Sequence, residues 1–384
     1  MDAAAITDVT EVGDGNLNLV FIIRDAHGAG LVLKQALPYV RLVGPDWPMT
    51  PDRARHEVEA LELHRRLAPT LVPEVYHFDA DRYILGMEDL SDHRVWRGAL
   101  NDGVMHDGAA ERMGEYVAAV AFGTSLFGMD PEEQKANAAR SANPQLCTIT
   151  EDLVFTEPFS LGGRNSVLAA NEGDAADLMA DDFMVRSMGH AKFAFMTQGE
   201  ALIHGDLHTG SVMVRAAEGS DGPVDSAKAF DSEFAFYGPV AFDLGALWAN
   251  YTIAAARATA LGEAARAQWC LNLCDATWGS FETKFRAAWP TRRDPRVFTD
   301  DFCDDLINRW HRDTWLFAAA KMSRRVVGLA KASDIETLPE DLREGAARGL
   351  LQTARAAVRL RTSDSGTSHY IRTASDALRA NSTR

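Results

Sequence analysis

The pattern of hydrophobic and polar positions divides the chain into two unequal parts. Residues 1–90 alternate short β-rich runs with glycine-bearing turns, and helical spacing dominates residues 91–384. Within the first part, the apolar run at 19–23 is followed by the turn Gly28-Ala29-Gly30. Leu31-Val32-Leu33-Lys34 then returns the chain, which predicts a hairpin. Residues 52–67 predict an amphipathic helix, and 82–90 predict a last strand running into a connector. Helical periodicity recurs at 113–127, 171–198, 254–278, 301–331 and 340–360. Residues 130–165, polar and richer in Pro and Gly, predict loop and short helix, and 362–368 a loop before a short final helix. No repeat at solenoid spacing is present. The expected class is α+β, with a small β-rich lobe at 1–90 and a large, mostly helical lobe at 91–384.

One helix breaks its own pattern. Stepping 100° per residue, Ala54, Val58, Ala60, Leu61, Leu63 and Leu67 share a broad apolar arc, with Arg55, Glu59, Glu62 and Arg66 opposite. Glu57 falls inside the apolar arc. A carboxylate there needs a cationic partner, because burying it unpaired is costly. Lys34, at the end of the returning strand, is the natural candidate. Upstream of it, Val12-Gly13-Asp14-Gly15-Asn16-Leu17-Asn18 forms a polar, glycine-bearing turn. Glycines there let backbone amides approach phosphate closely.

Composition narrows the partners. With 384 residues, 46% hydrophobic and 24% charged, the chain has the make-up of a soluble globular enzyme. A net charge of −16 with no dominant basic patch argues against nucleic acid or an anionic membrane. Any phosphate site must therefore be built from local cations and backbone amides. Cys147, Cys270, Cys274 and Cys303 form no Cys-x-x-Cys pair, and Cys270 and Cys274 are expected to face the core. No secretory signal is visible at the N-terminus and no run reaches membrane-span length, so a reducing cytoplasm is the expected setting.

The chemistry converges on Leu202-Ile203-His204-Gly205-Asp206-Leu207-His208-Thr209-Gly210-Ser211, followed by Phe230-Asp231-Ser232-Glu233. The second acidic cluster arrives 25 residues after Asp206 (231 minus 206). A carboxylate that aligns an acceptor hydroxyl, then a later one that holds magnesium against nucleotide phosphates, is the order of a protein-kinase-like phosphotransferase. The upstream glycine turn, Lys34 and Glu57 complete that order. Asp206 is thus the candidate catalytic carboxylate, and His204 is expected to fix the loop. Where such kinases carry a metal-binding Asn five residues after the Asp, this chain has Ser211, which offers only a neutral hydroxyl. Asp231 and Glu233, two apart on an extended segment, face one side and supply the metal carboxylates. Asp243 is expected to brace the catalytic loop. Backbone groups near Glu88 and Leu90 are expected to meet the adenine of ATP.

Taken together, Gly13 to Asn18, the stretch from Lys34 to Arg41, Trp47-Pro48, His204 to Ser211, Asp231 to Pro239 and Arg324-Arg325 resemble the 5-methylthioribose kinases of the aminoglycoside-phosphotransferase-like group. The resemblance runs from about residue 10 to about residue 335. It implies a two-lobe protein-kinase-like fold and ATP with Mg2+ as cofactors. It also implies phosphoryl transfer to the anomeric hydroxyl of methylthioribose in methionine salvage, and a homodimer. The ATP residues it implies are Gly13, Asp14, Gly15, Asn16, Lys34, Glu57, Glu88 and Leu90. Asp231, Glu233 and Ser211 fall to the metal; Asp206, Arg324, Arg325 and Asn18 fall to the sugar. Trp47 matches a mobile loop of the family near the site. Two rival readings are another small alcohol as acceptor (a deoxypentose, choline or an aminoglycoside) and an ATP-binding protein without transfer activity.

Overall fold

The computed structural model describes residues 3–13, 17–41, 44–217, 222–362 and 365–382. Its small lobe is a five-stranded antiparallel sheet in the order β1-β2-β3-β7-β6. The strands are β1 (Ile6–Glu11), β2 (Asn18–Asp25), β3 (Gly30–Ala36), β6 (Val75–Asp79) and β7 (Ile84–Glu88). The short hairpin β4 (Tyr39–Val40) and β5 (Gly44–Pro48) leads into helix α1 (Arg53–Leu67). The expected hairpin is β2–β3, with Val20 opposite Lys34. Strand β1 has no counterpart in the sequence-based expectation. All of its residues are exposed, so it carries no apolar alternation. It is an edge strand built on the β preference of Ile6, Thr7, Val9 and Thr10. Asp14, Gly15 and Asn16 lie outside the described residues.

The large lobe opens with β8 (Arg94–Val95) and α2 (Trp96–Asn101), then α3 (Ala109–Gly123). The polar stretch beyond it holds α4 (Pro131–Arg140), α5 (Pro144–Thr150) and a π-helical turn at Glu151–Thr156. Next come α6 (Glu172–Met179) and α7 (Asp182–Thr197), which split the helix expected at 171–198. Asp181 causes the split, its side chain accepting the Met184 N–H as the N-cap of α7. Strands β9 (Ala201–Ile203), β10 (Val212–Ala216), β11 (Val224–Ala229) and β12 (Phe236–Gly238) follow.

Five long helices and one short one complete the chain: α8 (Val240–Ala260), α9 (Ala264–Ala288), α10 (Asp300–Val327), α11 (Ser333–Glu336), α12 (Glu340–Leu360) and α13 (Thr367–Ala380). The continuous helix expected at 254–278 is corrected here: α8 stops at Ala260 and α9 starts at Ala264. Gly262 between them is left-handed at φ +77°, a conformation that terminates a helix and that glycine adopts without cost. Helix α8 is buried along almost its whole length and is packed by α3, α9, α10, α12 and α13. Trp248 and Phe242 on it are fully buried, and each such side chain is worth about 1.5–3 kcal/mol of transfer from water. Cys270, Cys274 and Cys303 are buried, and all four cysteines are free. Among the described residues, no helix is long and apolar enough to cross a membrane.

Candidate active site

Two ribbons carry the chemistry. Strands β9 and β12 pair antiparallel, Ile203 opposite Phe236, and β10 pairs with β11, Val212 opposite Ala229. The loop that carries Asp206 therefore leaves β9 and enters β10, while the acidic segment leaves β11 and enters β12. Residue 230 ties the two loops together. Its N–H donates to Ser211 O at 3.0 Å, and its carbonyl lies 2.9 Å from His204 Nε2. Asp243, at the start of α8, accepts the His204 N–H at 2.8 Å and the Gly205 N–H at 3.1 Å. Gly205 is left-handed at φ +82°, and a Cβ there would lie 2.1 Å from Phe234 O. Only glycine fits. From below, His64 of α1 contacts Leu202 O at 2.8 Å and the Tyr116 hydroxyl at 2.9 Å. Burial pushes His64 down to about 3, so the neutral ring joins the small-lobe helix to the catalytic strand.

On one side of the cleft carboxylates outnumber cations. Lys34 Nζ is 2.9 Å from Glu57 Oε1 and also contacts Asp231 Oδ1. Glu233 Oε2 accepts from Asn18 Nδ2 at 2.9 Å and from Arg53 Nε at 3.2 Å. Arg53 has no exposed surface and spends its remaining donors on the carbonyls of Leu17, Leu37 and Thr50 and on Asn18 Oδ1. Two cations thus face three carboxylates: Glu57, Asp231 and Glu233, whose oxygens lie within 4.8 Å of one another. Burial raises Glu57 and Glu233, and the neighbouring carboxylates add to it against the pull of Lys34. Burial would raise Asp231 as well, although 41% of its side chain is exposed. The ammonium of Lys34 holds it below the usual range. Its backbone sits at φ +66°, an uncommon conformation for a non-glycine residue and one that costs about 1–3 kcal/mol. An all-oxygen set with surplus negative charge suits a hard divalent cation.

On the other side the balance is reversed. Asp206 Oδ1 accepts from Lys321 Nζ at 2.8 Å, and Oδ2 lies 3.3 Å from His208 Nε2. Burial alone would raise Asp206, but Lys321, then His208 and Arg324, hold it well below the carboxylate range. Burial pushes Lys321 down to about 8 against the pull of Asp206, with Arg324 adding to the fall. His208 is pushed down to about 4 by burial, with Arg97 adding to it, and the neutral ring reaches Ser211 Oγ at 3.2 Å through Nδ1. Arg97 of α2 is held by Asp334 at 3.3 Å. The rings of His204 and His208 also act on Asp231, so the two sides adjoin.

The structure places the remaining expected residues as follows. Ser211, expected at the metal, is buried with its hydroxyl on His208, because the turn Thr209–Ser211 faces it toward that ring. Asn18, expected at the sugar, begins β2, donates to Glu233 and accepts from Arg53. Arg325 donates to the carbonyls of Ala330 and Lys331, both at 3.3 Å. Arg324 Nε is buried with no hydrogen-bond partner among the described residues. The Glu88 carboxylate pairs with Lys228, and Leu90 is buried. Gly13 ends the described part of the glycine turn and has open space around it. Trp47 lies in the β4–β5 hairpin, with Arg164 5.0 Å over its ring. Arg53, His208 and Lys321 were missed by sequence reasoning. Lys321 interrupts the apolar run 315–322, the same kind of signal that marked Glu57.

The phosphotransferase enzyme family matches this chain over residues 8–282. Methylthioribose kinase of Enterobacter sp. (strain 638) is 38% identical over 344 residues, covering 88% of this chain and 84% of that one. The chain belongs to the methylthioribose kinase family. The family protein of Cronobacter sakazakii is 40% identical with the same coverage. That of Yersinia pseudotuberculosis serotype O:3 is 38% identical over 93% of this chain and 88% of its own length. Among solved structures, a choline/ethanolamine kinase family protein from Mesorhizobium loti aligns with TM-score 0.45 at 14% identity, covering 98% of this chain and 94% of that one. The phosphotransferase match over residues 8–282 takes in Asp206, His208 and Arg97 and ends before Lys321 and Arg324.

Proposed function

We propose that the enzyme transfers the γ-phosphoryl group of ATP to the anomeric hydroxyl of 5-methylthioribose, giving methylthioribose 1-phosphate and ADP in methionine salvage. The observation that carries this reading is Asp206, ionised and fixed beside a carboxylate-rich nucleotide side, in a chain of this family. Catalysis of this kind rests on positioning and charge neutralisation. Lys34, oriented by Glu57, would hold the α- and β-phosphates beneath the turn that begins at Gly13. Backbone groups at Glu88–Leu90 would receive the adenine. Asp231 and Glu233 would hold Mg2+, whose charge offsets that of the phosphate oxygens. Asp206 would align the sugar O1 in line with the γ-phosphorus. The O1–P bond then forms as the bond to the β-phosphate oxygen breaks, and the hydroxyl proton passes to Asp206. Arg325 is committed to backbone carbonyls, so Arg324 is the arginine that would face the sugar. The reading carries with it a cytoplasmic homodimer, which light scattering would check.

The test is ADP release with magnesium-ATP on methylthioribose, ribose, 5-deoxyribose, choline and kanamycin. Strong preference for methylthioribose is expected. Turnover on another acceptor alone would replace the substrate, and silence on all five would remove the transfer reaction.

A further inference from the structure

The pairing of Asp206 with a lysine from a distant helix has no counterpart in the loop motif itself. Lys321 stands 115 residues along the chain from Asp206, on α10, with its side chain 4% exposed. Its ammonium lies over the Phe242 ring, 4.4 Å from the centroid. Residues three apart share a helix face, so Lys321 and Arg324 face the same side. Burying a lysine in an aromatic-lined site is costly, and a structural ion pair could have used solvent-exposed residues instead. The groups facing Lys321 are Asp206 and His208 from the catalytic loop, Asp243 from α8, and Arg324 and Arg325 from its own helix. Arg97 faces the same cluster from α2.

We propose that Lys321 is a positioning residue for phosphoryl transfer: with His208 it clamps the two oxygens of Asp206, fixing the plane of the carboxylate and keeping it ionised. This inference rests on the transfer reaction proposed above. The clamp makes Asp206 a weak base and a well-aimed acceptor. The acceptor hydroxyl therefore keeps its proton until the new O–P bond is largely formed, which suits a loose transition state. Charge on Lys321 is present below its own pKa and lost above it. The clamp on Oδ1 therefore opens as pH rises through about 8.

The test compares wild type with Lys321→Met and Lys321→Arg, using methylthioribose and magnesium-ATP. In Lys321→Met, kcat is expected to fall roughly 10²-fold. Affinity for magnesium-ATP, measured by calorimetry, should stay within about 3-fold. Wild-type kcat/KM should fall as pH rises through about 8, and Lys321→Arg, which does not titrate there, should lack that limb. Thermal melts establish that each variant is folded; if Lys321→Arg is not, Lys321→Met and the following measurement decide. An NMR titration of 13Cε-lysine enzyme, assigned by the resonance lost in Lys321→Met, should give a midpoint near 8 rather than near 10.5. Because that readout needs no acceptor, it stands even if wild type proves silent on methylthioribose, an outcome that would sink the substrate and not the clamp. A Lys321 midpoint that does not fall in Asp206→Asn, or Lys321→Met turning over within about 3-fold of wild type, would overturn the proposal.

Discussion

The two sides of the cleft solve opposite electrostatic problems. On the nucleotide side, Glu57, Asp231 and Glu233 surround Lys34 and Arg53, leaving negative charge in surplus. On the acceptor side, Lys321, Arg324, Arg325 and Arg97 stand around Asp206, with Asp334 behind Arg97, and positive charge is in surplus. In the proposed transfer, a phosphoryl group would move from a place that needs cations brought in to a place that already holds them. The chain carries a net charge of −16, so the second environment is local and assembled against the overall field.

The sharpest way to break this contrast is at Asp206. Asp206→Asn should reduce kcat by roughly 10²–10⁴-fold while calorimetric affinity for magnesium-ATP stays close to wild type. Preserved turnover would remove Asp206 from the mechanism. Arg53→Ala comes next, acting on stability. It strips a fully buried cation from Glu233 and leaves several acceptors unmade, so a loss of about 3–5 kcal/mol in urea unfolding is expected. A loss under about 1 kcal/mol would mean the cluster relaxes freely.

Glu233→Gln tests the charge surplus itself. It balances two cations with two carboxylates and keeps an acceptor for Asn18 and Arg53. The variant without nucleotide should therefore melt a few degrees higher, roughly what 1 kcal/mol gives, yet bind magnesium-ATP far more weakly. The pH dependence follows from the same surplus. Glu57 and Glu233 have raised pKa values, so the folded protein binds more protons than the unfolded chain above the ordinary glutamate value of 4.5. Their contribution to stability falls as pH rises through that window toward the raised values, and Glu233→Gln should flatten the fall in melting temperature. A melting curve as steep as wild type would locate the pH dependence elsewhere. The smallest effect is expected at Ser211→Ala. Loss of its contact with His208 should lower kcat about 3-fold, with no change in the magnesium concentration needed for half-maximal rate. A raised magnesium requirement would return Ser211 to the metal.

The two sides also differ in how far the sequence disclosed them. Glu57 was readable because a carboxylate inside an apolar helical arc demands a cation, and Lys34 was within local reach as the end of a hairpin. The loop residues were readable because their spacing is fixed by two short turns. Arg53 was not, since the first residue of a helix ordinarily faces solvent. It is enclosed through Leu17, Asn18, Leu37, Thr50 and Glu233, the last 180 residues away. Lys321 carries the same local signal as Glu57, a charge inside an apolar run, but its partner Asp206 is 115 residues away and is met only through tertiary packing, which no local pattern encodes. In the fold, the long helices of the large lobe were visible in periodicity. The break at Gly262 was not, because the apolar stripe resumes in phase closely enough to hide three residues of turn.

The enclosed guanidinium of Arg53 has a mechanical consequence. Its hydrogen bonds join the start of β2, the hairpin ahead of α1 and the acidic segment of the large lobe at a single point. Any rocking of one lobe against the other that keeps these bonds would turn about that point, as a door turns on its pin, with the metal-side carboxylates almost stationary. The long travel then belongs to the parts farthest from that pin, so the enzyme would close by swinging its outer edges over a fixed phosphate seat.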